Sequence, residues 1–416
     1  MRHMTVYLLF GAIALAAVCG ADHFAGSNAR VSNALWFVTL LALFIPAALR
    51  YDIGVDYSST METSGYLGYY QLYQLYATEP AAAGMDLGFY ALIRVLNLFT
   101  GNPQWMFAAM SALSCGLTLR ACRRLSPMPA VSVALFMVAG FYFEGLNIAR
   151  QWVAIACVLN GLEWVGGVDA LRGERSFVRY AIWVVAGSFM HTSCLIWLAI
   201  WPFFSLKMNV RRACALALAF VVLSFAAEKI AALALAGTRF GLYLDPTSDV
   251  YVGPQPRLNA VICYGITWVF TVVCLCGLSG ERQGSAAVRE LSSSDEANAP
   301  SKPLSERLVA ATSATCGRWD SALVVIATIT LCLFVSTYYL PHIVDRLARY
   351  FAPVLILAMP RCLVRIPNKR LRAAALAVIV VAWLAATYVQ VVAGGQYGVV
   401  PYQSIFGVRA VQGLLS

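Results

Sequence analysis

The sequence contains little charge for its length. Of its 416 residues, 12% are charged and 60% are hydrophobic. Soluble globular domains carry about 25% charged residues and roughly half apolar ones. A chain with so few charges could not cover a soluble globule with a polar surface. The composition therefore excludes an ordinary soluble enzyme and predicts a protein whose solvent is the lipid bilayer.

The sequence has only four histidines, and its cysteines lack the spacing of a metal site or a disulfide framework. The four histidines show no metal-ligand spacing, and none of the twelve cysteines belongs to a CxxC pair. The sequence contains no GxxxxGK[ST] phosphate loop and no glycine-rich dinucleotide fingerprint. We therefore expect no metal, no disulfide framework and no cofactor.

The positive charge does not indicate a nucleic-acid-binding protein. The net charge is +10, but the basic residues lie between apolar runs instead of clustering in one domain. This is the pattern of the positive-inside rule, which marks cytoplasmic loops. The clusters are Arg120, Arg123 and Arg124; Arg172, Arg175 and Arg179; Lys207, Arg211 and Arg212; and Arg361, Arg365, Lys369, Arg370 and Arg372. The expected partner is a bilayer and not a nucleic acid.

Apolar runs of membrane-spanning length alternate with these clusters. They occupy approximately 5–21, 33–49, 103–119, 129–146, 147–165, 213–236, 258–279, 319–340 and 373–394. Shorter apolar runs occupy 178–190, 192–206 and 348–362. Together they predict an all-α, polytopic transmembrane helical bundle with about twelve crossings, both termini outside, and short helical hairpins.

Two stretches between basic clusters are so short that each must form a helical hairpin. The chain between Arg179 and Lys207 leaves the cytoplasm and returns to it, which places His191 at the outer tip of one hairpin. The same argument applies to the chain between Arg124 and Arg172, and it places Asn147 and Arg150 near the outer end of another hairpin.

Two further segments subdivide the single transmembrane domain predicted for residues 1–416. An outer loop at 50–101 contains a segment with five apolar side chains on one helical face, which predicts an amphipathic interfacial helix. Those side chains are Phe89, Leu92, Ile93, Leu96 and Phe99. A Ser-, Ala- and Glu-rich segment at 280–318 predicts a flexible cytoplasmic loop.

The predicted outer side collects arginines, tyrosines and carboxylates. Ionisable groups at membrane depth are costly and by default indicate functional sites. Arg binds phosphate through bidentate, charge-assisted hydrogen bonds, and aromatic faces stack on sugars. A pocket of these residues would fit a lipid diphosphate that carries sugars. The residues are Arg50, Asp52, Asp56, Tyr57, Asp86, Asn147, Arg150, Gln151, His191, Arg239, Arg257, Asp345, Arg349 and Tyr350.

Structural explanations remain open for several of these residues. Arg50 and Arg94 could be interfacial anchors whose side chains reach the headgroups. The tyrosine-rich outer loop could be an aromatic belt. His191 could be a structural histidine at a helix turn, and Arg150 could form a salt bridge with Glu144.

Six short motifs follow one another along this predicted outer side. They are Arg50-Tyr-Asp-Ile-Gly-Val-Asp56-Tyr57, Asp86-Leu-Gly-Phe-Tyr90, Asn147-Ile-Ala-Arg150-Gln151, Phe189-Met-His191-Thr-Ser193, Arg349-Tyr350 and Pro401-Tyr402. In this order they resemble the EpsG family of Wzy-like polysaccharide polymerases, over most of the chain.

The resemblance implies an enzyme of the bacterial inner membrane. Such proteins join oligosaccharide repeat units carried on undecaprenyl diphosphate, at the outer face, for exopolysaccharide, capsule or O-antigen synthesis. A sugar hydroxyl of the acceptor attacks the anomeric carbon of the donor, and the lipid diphosphate leaves, so no nucleotide or metal is required. A flippase and a chain-length regulator are the protein partners that the resemblance suggests.

This reaction needs cations at the leaving diphosphate and a base for the acceptor hydroxyl. The predicted catalytic residues are Arg150, His191, Asp56 and Asp52. The predicted substrate- and diphosphate-binding residues are Arg50, Asn147, Gln151, Arg239, Arg349, Tyr57 and Tyr350. Either carboxylate or the histidine could be the base, and the histidine could instead hydrogen-bond the diphosphate.

Other functions fit the same topology. A flippase or other transporter should show internal repeats and ionisable residues near the bilayer midplane, whereas the sequence shows no convincing repeat and a one-sided charge distribution. A ligase should present a large outer loop with a His- and Gly-rich signature, which is absent. A non-catalytic subunit of an export complex would not need arginines in a pocket.

Overall fold

The protein is helical throughout the part that can be described. The computed structural model describes residues 4–57, 68–81, 85–165, 175–234, 241, 244–248, 251–277 and 317–406, with the backbone alone for 226–234. These residues form helices and no β-strand, which confirms the predicted all-α fold. Seven of the helices have the length and hydropathy of a membrane span, and one bent helix pair could provide an eighth. The predicted number of about twelve membrane crossings therefore remains a prediction.

The chain divides into two compact units, each described by itself below. Unit 1 comprises Met1–Glu163, Val178–Leu198 and Val378–Ser416, and unit 2 comprises Trp164–Phe177 and Ala199–Ala377. The predicted flexible loop at 280–318 lies almost entirely outside the described residues.

The described part of unit 1 consists mainly of the following helical segments, together with the second part of the long helix Lys369–Thr387. They are α1 (Thr5–Phe24), α2 (Ala29–Ala48), α3 (Tyr69–Thr78), α4 (Leu87–Asn97), α5 (Gln104–Leu125), α6 (Pro129–Val138), α7 (Phe141–Asn147), α8 (Ala149–Gly161), α9 (Phe177–Met190, from Val178 onwards) and a 3₁₀ turn at Thr192–Leu195. Helix α5 packs between α2 and α8, and α1 packs against α2 and α6.

Polar contacts fix the α1–α2 hairpin where its apolar faces meet. Asn28 caps α2, since its side chain accepts a hydrogen bond of 3.1 Å from the Val31 N–H. The Ser32 hydroxyl, buried between the two helices, donates to the Ala21 carbonyl at 2.8 Å. The hairpin therefore turns at the residues where the hydropathy pattern breaks.

The two ends of unit 1 differ in chemistry. At one end, Arg124 on α5 pairs with Glu163 at 2.5 Å, and Arg120 contacts the same carboxylate at 3.4 Å. The opposite end holds the first residues of α5 together with the α7–α8 junction at Asn147–Ala149, where Asn147 and Arg150 lie. With 22 residues, α5 is about 33 Å long, which is enough to separate these ends by a membrane. This arrangement agrees with the expectation that Asn147 and Arg150 lie at the end of their hairpin away from the basic clusters.

The span predicted at 129–146 is helical but bent, and the bend was not predicted. Helices α6 and α7 meet at an angle of 56°, with Gly140 between them at a φ of +80°. The left-handed backbone is accessible to glycine at little cost, which is why the bend lies there. A second break at Ile148 separates α7 from α8.

The predicted hairpin with His191 at its tip is partly confirmed. Helix α9 ends at Met190, and His191 adopts an extended conformation (φ −157°) before the 3₁₀ turn, so the chain does change direction at His191. The apolar run at 192–206 is helical, as predicted, but it is not one regular α-helix. This segment consists of the 3₁₀ turn, the short α10 (Ile196–Ile200) and another 3₁₀ turn, Trp201–Ser205.

Helices α3 and α4 form a short antiparallel pair at the Arg150 end of unit 1. Phe89 and Ile93 of α4 are fully buried in a cluster with Tyr69 and Tyr76, as the amphipathic pattern predicts. Phe99, however, is 82% exposed, because α4 ends at Asn97 and the chain turns away before it. The exposed apolar residues around this turn suit an interfacial location.

Unit 2 is organised around one buried helix. Its helices are α11 (Val210–Ala234), α12 (Leu258–Val272), α13 (Arg318–Ser336), α14 (Ile343–Phe351), α15 (Leu355–Arg365) and the first part of α16 (Lys369–Thr387). Helix α13 packs against α11, α12 and α14. Its buried Asp320 accepts hydrogen bonds from Arg361 at 2.8 Å and from Arg365.

Gly88 provides a test of the packing between α4 and α9. A Cβ atom at this position would lie 2.7 Å from Phe189 Cβ and 2.8 Å from its carbonyl oxygen. Gly88→Ala should therefore destabilise unit 1 by about 1–3 kcal/mol through overpacking, measured as a lower unfolding temperature of the purified protein in detergent. Gly101→Ala is the control, because a Cβ there meets nothing within 4 Å. Equal unfolding temperatures for the two variants would contradict this packing.

Candidate functional site

The Arg50–Tyr57 loop is held by backbone contacts directly after α2. The Gln104 amide donates to the carbonyl oxygens of Ala48 at 2.5 Å and Arg50 at 3.1 Å. On its other side the loop bonds to a segment near the C-terminus: the Tyr51 N–H donates to the Gln403 carbonyl at 3.0 Å. The first motif is therefore fixed by residues distant in sequence.

Gly54 and Asn147 bring this loop onto the α7–α8 junction. Gly54 has a φ of +99°, and a Cβ there would lie 3.0 Å from the Leu146 carbonyl oxygen, so only glycine fits without a shift. The Asn147 side chain accepts a hydrogen bond of 3.1 Å from the Asp56 N–H. Asn147, predicted to contact substrate, thus holds Asp56 near the start of α8, and its contact with substrate stays a prediction. Asp56 is partly exposed and Asp52 is exposed.

Asp86 joins three elements at this end of unit 1. Its Oδ2 accepts a hydrogen bond of 3.0 Å from Arg150 Nη1 on α8. Its Oδ1 accepts from both the backbone N–H and the hydroxyl of Thr192, at 3.1 and 2.9 Å. We call Asp86, Arg150 and Thr192 the Arg150 centre. It joins the start of α4, the start of α8 and the turn after α9.

Aromatic rings surround the Arg150 guanidinium. Its Cζ lies 5.6 Å from the centre of the Tyr69 ring and 5.1 Å from that of Phe89, within cation–π range. The Arg150 backbone N–H donates to the Tyr69 hydroxyl at 3.2 Å. Burial raises the pKa of Tyr69, so that this hydroxyl stays protonated at neutral pH. The Arg150 side chain is nevertheless 18% exposed, so a ligand can reach it.

His191 lies directly before Thr192 and is therefore part of the same corner of unit 1. It is partly exposed and precedes the 3₁₀ turn that begins at Thr192. The structure thus brings together His191, Arg150 and the loop that carries Asp56. The sequence placed Asp86 in the predicted outer pocket without a specific role, and it did not single out Thr192. Both belong to the quoted motifs: Asp86 opens the second motif, and Thr192 follows the histidine of the fourth.

Three predicted site residues of unit 1 are buried. Arg50, Tyr57 and Gln151 are only 1%, 4% and 4% exposed. Tyr57 stacks on Phe107 with ring centres 4.3 Å apart, and burial raises its pKa to about 12. A hydroxyl with this pKa remains protonated and cannot act as a base at neutral pH. In this structure the three side chains lie in the packed interior of unit 1.

Unit 2 contains a second charged cluster, which we call the Asp345 centre. Asp345 is 1% exposed and accepts hydrogen bonds from Arg349 Nε at 3.0 Å and Arg349 Nη2 at 2.9 Å. Arg257 Nη2 lies at 3.3 Å and His342 Nδ1 at 3.9 Å from the same carboxylate. Two arginines on one carboxylate leave a net positive charge, and both are partly exposed. This centre can therefore attract an anion.

The remaining predicted residues are placed as follows. Tyr350, next to Arg349, is 1% exposed and lies in the core of unit 2. Arg239 lies outside the described residues. Among the residues that are described, no group of three or more His, Cys, Asp or Glu side chains could hold a metal ion.

Comparison with known proteins identifies the family. The model of the EpsG family matches residues 33–286 and 307–404, which is most of the chain. The chain belongs to the EpsG family. No curated protein and no solved structure matches it. Both matched ranges include motifs from which the resemblance was predicted, so that prediction is confirmed. Membership in the EpsG family indicates a membrane protein of the polysaccharide polymerase type.

Substitution of Thr192 tests whether its hydrogen bonds to Asp86 stabilise the Arg150 centre. Thr192→Val keeps the size of the side chain but removes one hydrogen bond to a carboxylate, which is worth about 1.5–3 kcal/mol. The variant should unfold at a lower temperature in detergent, and Thr192→Ser should restore stability. Thr78→Val is the control, since that exposed hydroxyl bonds only to its own helix. Wild-type stability of Thr192→Val would contradict the assignment.

Proposed function

We propose that the EpsG-family chain polymerises undecaprenyl-diphosphate-linked oligosaccharide repeat units by glycosyl transfer at the outer face of the bacterial inner membrane. The observation that carries this proposal is the Arg150 centre. A partly exposed guanidinium is fixed at one end of a helical unit, beside a histidine and a loop with two aspartates. The family membership supports the same class of reaction.

Arg150 stabilises the leaving diphosphate in this proposal. Negative charge develops on the leaving group as the glycosidic carbon separates from it, and preorganised donors at that place lower the barrier. Asp86 fixes one side of the guanidinium at Nη1, and the rings of Tyr69 and Phe89 restrict its position further. The arginine therefore needs little reorganisation when the diphosphate binds.

A base at the same end of unit 1 accepts the acceptor's proton. The acceptor hydroxyl oxygen forms a bond to the donor's anomeric carbon, the bond from that carbon to the diphosphate breaks, and the hydroxyl proton passes to the base. Asp56, Asp52 and His191 remain the candidates. Among them, Asp56 is held directly against the start of α8, because its backbone N–H donates to the side chain of Asn147, which precedes Arg150 by three residues.

The buried residues contribute in a different way. In this proposal three buried residues hold the loop and α8 in place: Arg50, Tyr57 and Gln151. They affect the substrate only indirectly, through the residues that they position. In unit 2, Arg349 and Arg257 form a second centre that can bind an anionic group, and Tyr350, next to Arg349 in the chain, is buried.

Substitution of Arg150 tests the proposal. Arg150→Lys keeps the charge but loses the planar guanidinium, which can bind Asp86 with one edge and a phosphate with the other at the same time. Polymer synthesis should therefore fall by at least about tenfold. The measurement is the length distribution of the surface polysaccharide at matched protein levels. Arg94→Lys is the matched control, because Arg94 lies on α4 and donates to the Ala77 carbonyl at 2.7 Å. Polymer of normal length from Arg150→Lys would contradict the role.

The orientation of unit 1 can be tested on one helix. Asn102 and Arg123 are both exposed and lie near opposite ends of α5. After replacement of the native cysteines, a cysteine at 102 should react in whole cells with a membrane-impermeant thiol reagent, and one at 123 should react only after the membrane is opened. The reverse labelling would place the Arg150 centre on the cytoplasmic side and contradict the proposal.

A further inference from the structure

We propose that unit 1 binds a small monovalent anion, chloride, in an internal cavity between Arg50 and Trp152. The cavity has a volume of about 10 Å³, the size at which a cavity holds a single water-sized particle. Its walls come from α2, α5 and the α6–α8 segment, so it lies wholly within unit 1. This inference does not depend on the proposed enzymatic function.

The charge of Arg50 is the first observation. The residue is 1% exposed, and no carboxylate among the described residues forms an ion pair with it. An isolated ion buried away from water is costly, and buried charges are normally paired. Within the described residues, Arg50 therefore lacks the counter-charge that a buried arginine normally has.

The partners that Arg50 does have account for only part of its hydrogen bonding. Its Nη1 donates to the Ala47 carbonyl at 2.7 Å and to the Ser111 hydroxyl at 3.2 Å. The Phe107 ring lies 4.8 Å from its Cζ. Its Nε and Nη2 are buried and have no acceptor within the described part of the chain. Two strong donors are thus left without a partner.

A third donor without an acceptor among the described residues belongs to Trp152, which lines the same cavity. Trp152 is fully buried, it lines the cavity together with Arg50, and its Nε1 has no acceptor among the described residues. Guanidinium and indole groups only donate hydrogen bonds. The missing group is therefore an acceptor, and it must fit a space that admits a single small particle.

An anion satisfies these conditions better than water. A water molecule could accept hydrogen bonds from these donors, but it would leave the buried positive charge uncompensated. Chloride accepts several hydrogen bonds, neutralises the charge and is only slightly larger than water. Phosphate and other polyatomic anions are too large for the cavity.

The bound anion would hold the Arg50–Tyr57 loop in place. Arg50 is the first residue of that loop, and its carbonyl is bonded to Gln104. Neutralising the guanidinium keeps this end of the loop buried, and the loop carries Asp56. Chloride would in this way support the geometry of the candidate site without touching a substrate.

The test is a titration of thermal stability with the purified full-length protein in detergent. Sodium chloride replaces sodium gluconate at constant ionic strength, and the unfolding temperature is recorded. A saturable rise with chloride, reproduced by bromide, is expected. An unfolding temperature that is independent of chloride would mean that water fills the cavity, and would overturn the proposal.

Three variants separate a specific site from a general salt effect. Arg50→Met should abolish the saturable response. Trp152→Phe keeps the ring but loses one donor, so the apparent chloride affinity should fall by about tenfold or more. Arg94→Met, at an exposed arginine of the same unit, should respond like the wild type. If Arg50→Met does not fold, Trp152→Phe decides alone: an unchanged chloride affinity would overturn the proposal.

Discussion

The candidate site depends on how one carboxylate is shared. Asp86 accepts hydrogen bonds from Arg150 and from both donors of Thr192, so three parts of unit 1 that are far apart in sequence meet at two oxygen atoms. Each donor to an ionised acceptor contributes more than a neutral hydrogen bond would. Gly88, two residues beyond Asp86, permits the close approach to α9 that this arrangement requires. Without Asp86, Arg150 and His191 would not be fixed at the same corner.

The general architecture follows from the sequence because hydropathy and charge act along the chain. Apolar runs predicted the helices, and the basic clusters predicted that Arg150 lies at the end of its hairpin opposite Arg120 and Arg124. The bend at Gly140 and the broken segment after His191 were not predicted, since a short apolar run has the same composition whether its helix is straight or interrupted. Helix breaks depend on local backbone conformation and on neighbouring helices.

The partners of the site residues could not be obtained from sequence in the same way. The sequence offered Glu144 as a nearby partner for Arg150, whereas the structure shows an ion pair with Asp86, 64 positions away. Arg50 and Tyr57 looked like accessible ligands because they sit in a polar motif. Packing by the segment around Gln403 and by α5 buries them, and that packing is a tertiary property. Both side chains are therefore part of the packed interior of unit 1, and Arg50 forms no ion pair with a carboxylate among the described residues.

The central claim is that this EpsG-family chain itself joins lipid-linked repeat units, and reconstitution tests it most directly. The purified protein would be placed in liposomes with undecaprenyl-diphosphate-linked repeat units as the sole glycan substrate, and the products would be separated by size. The account predicts a ladder of polymerised units with matching release of undecaprenyl diphosphate. Transfer of intact lipid-linked units between the leaflets, with no ladder and no release, would contradict it and would favour a transporter.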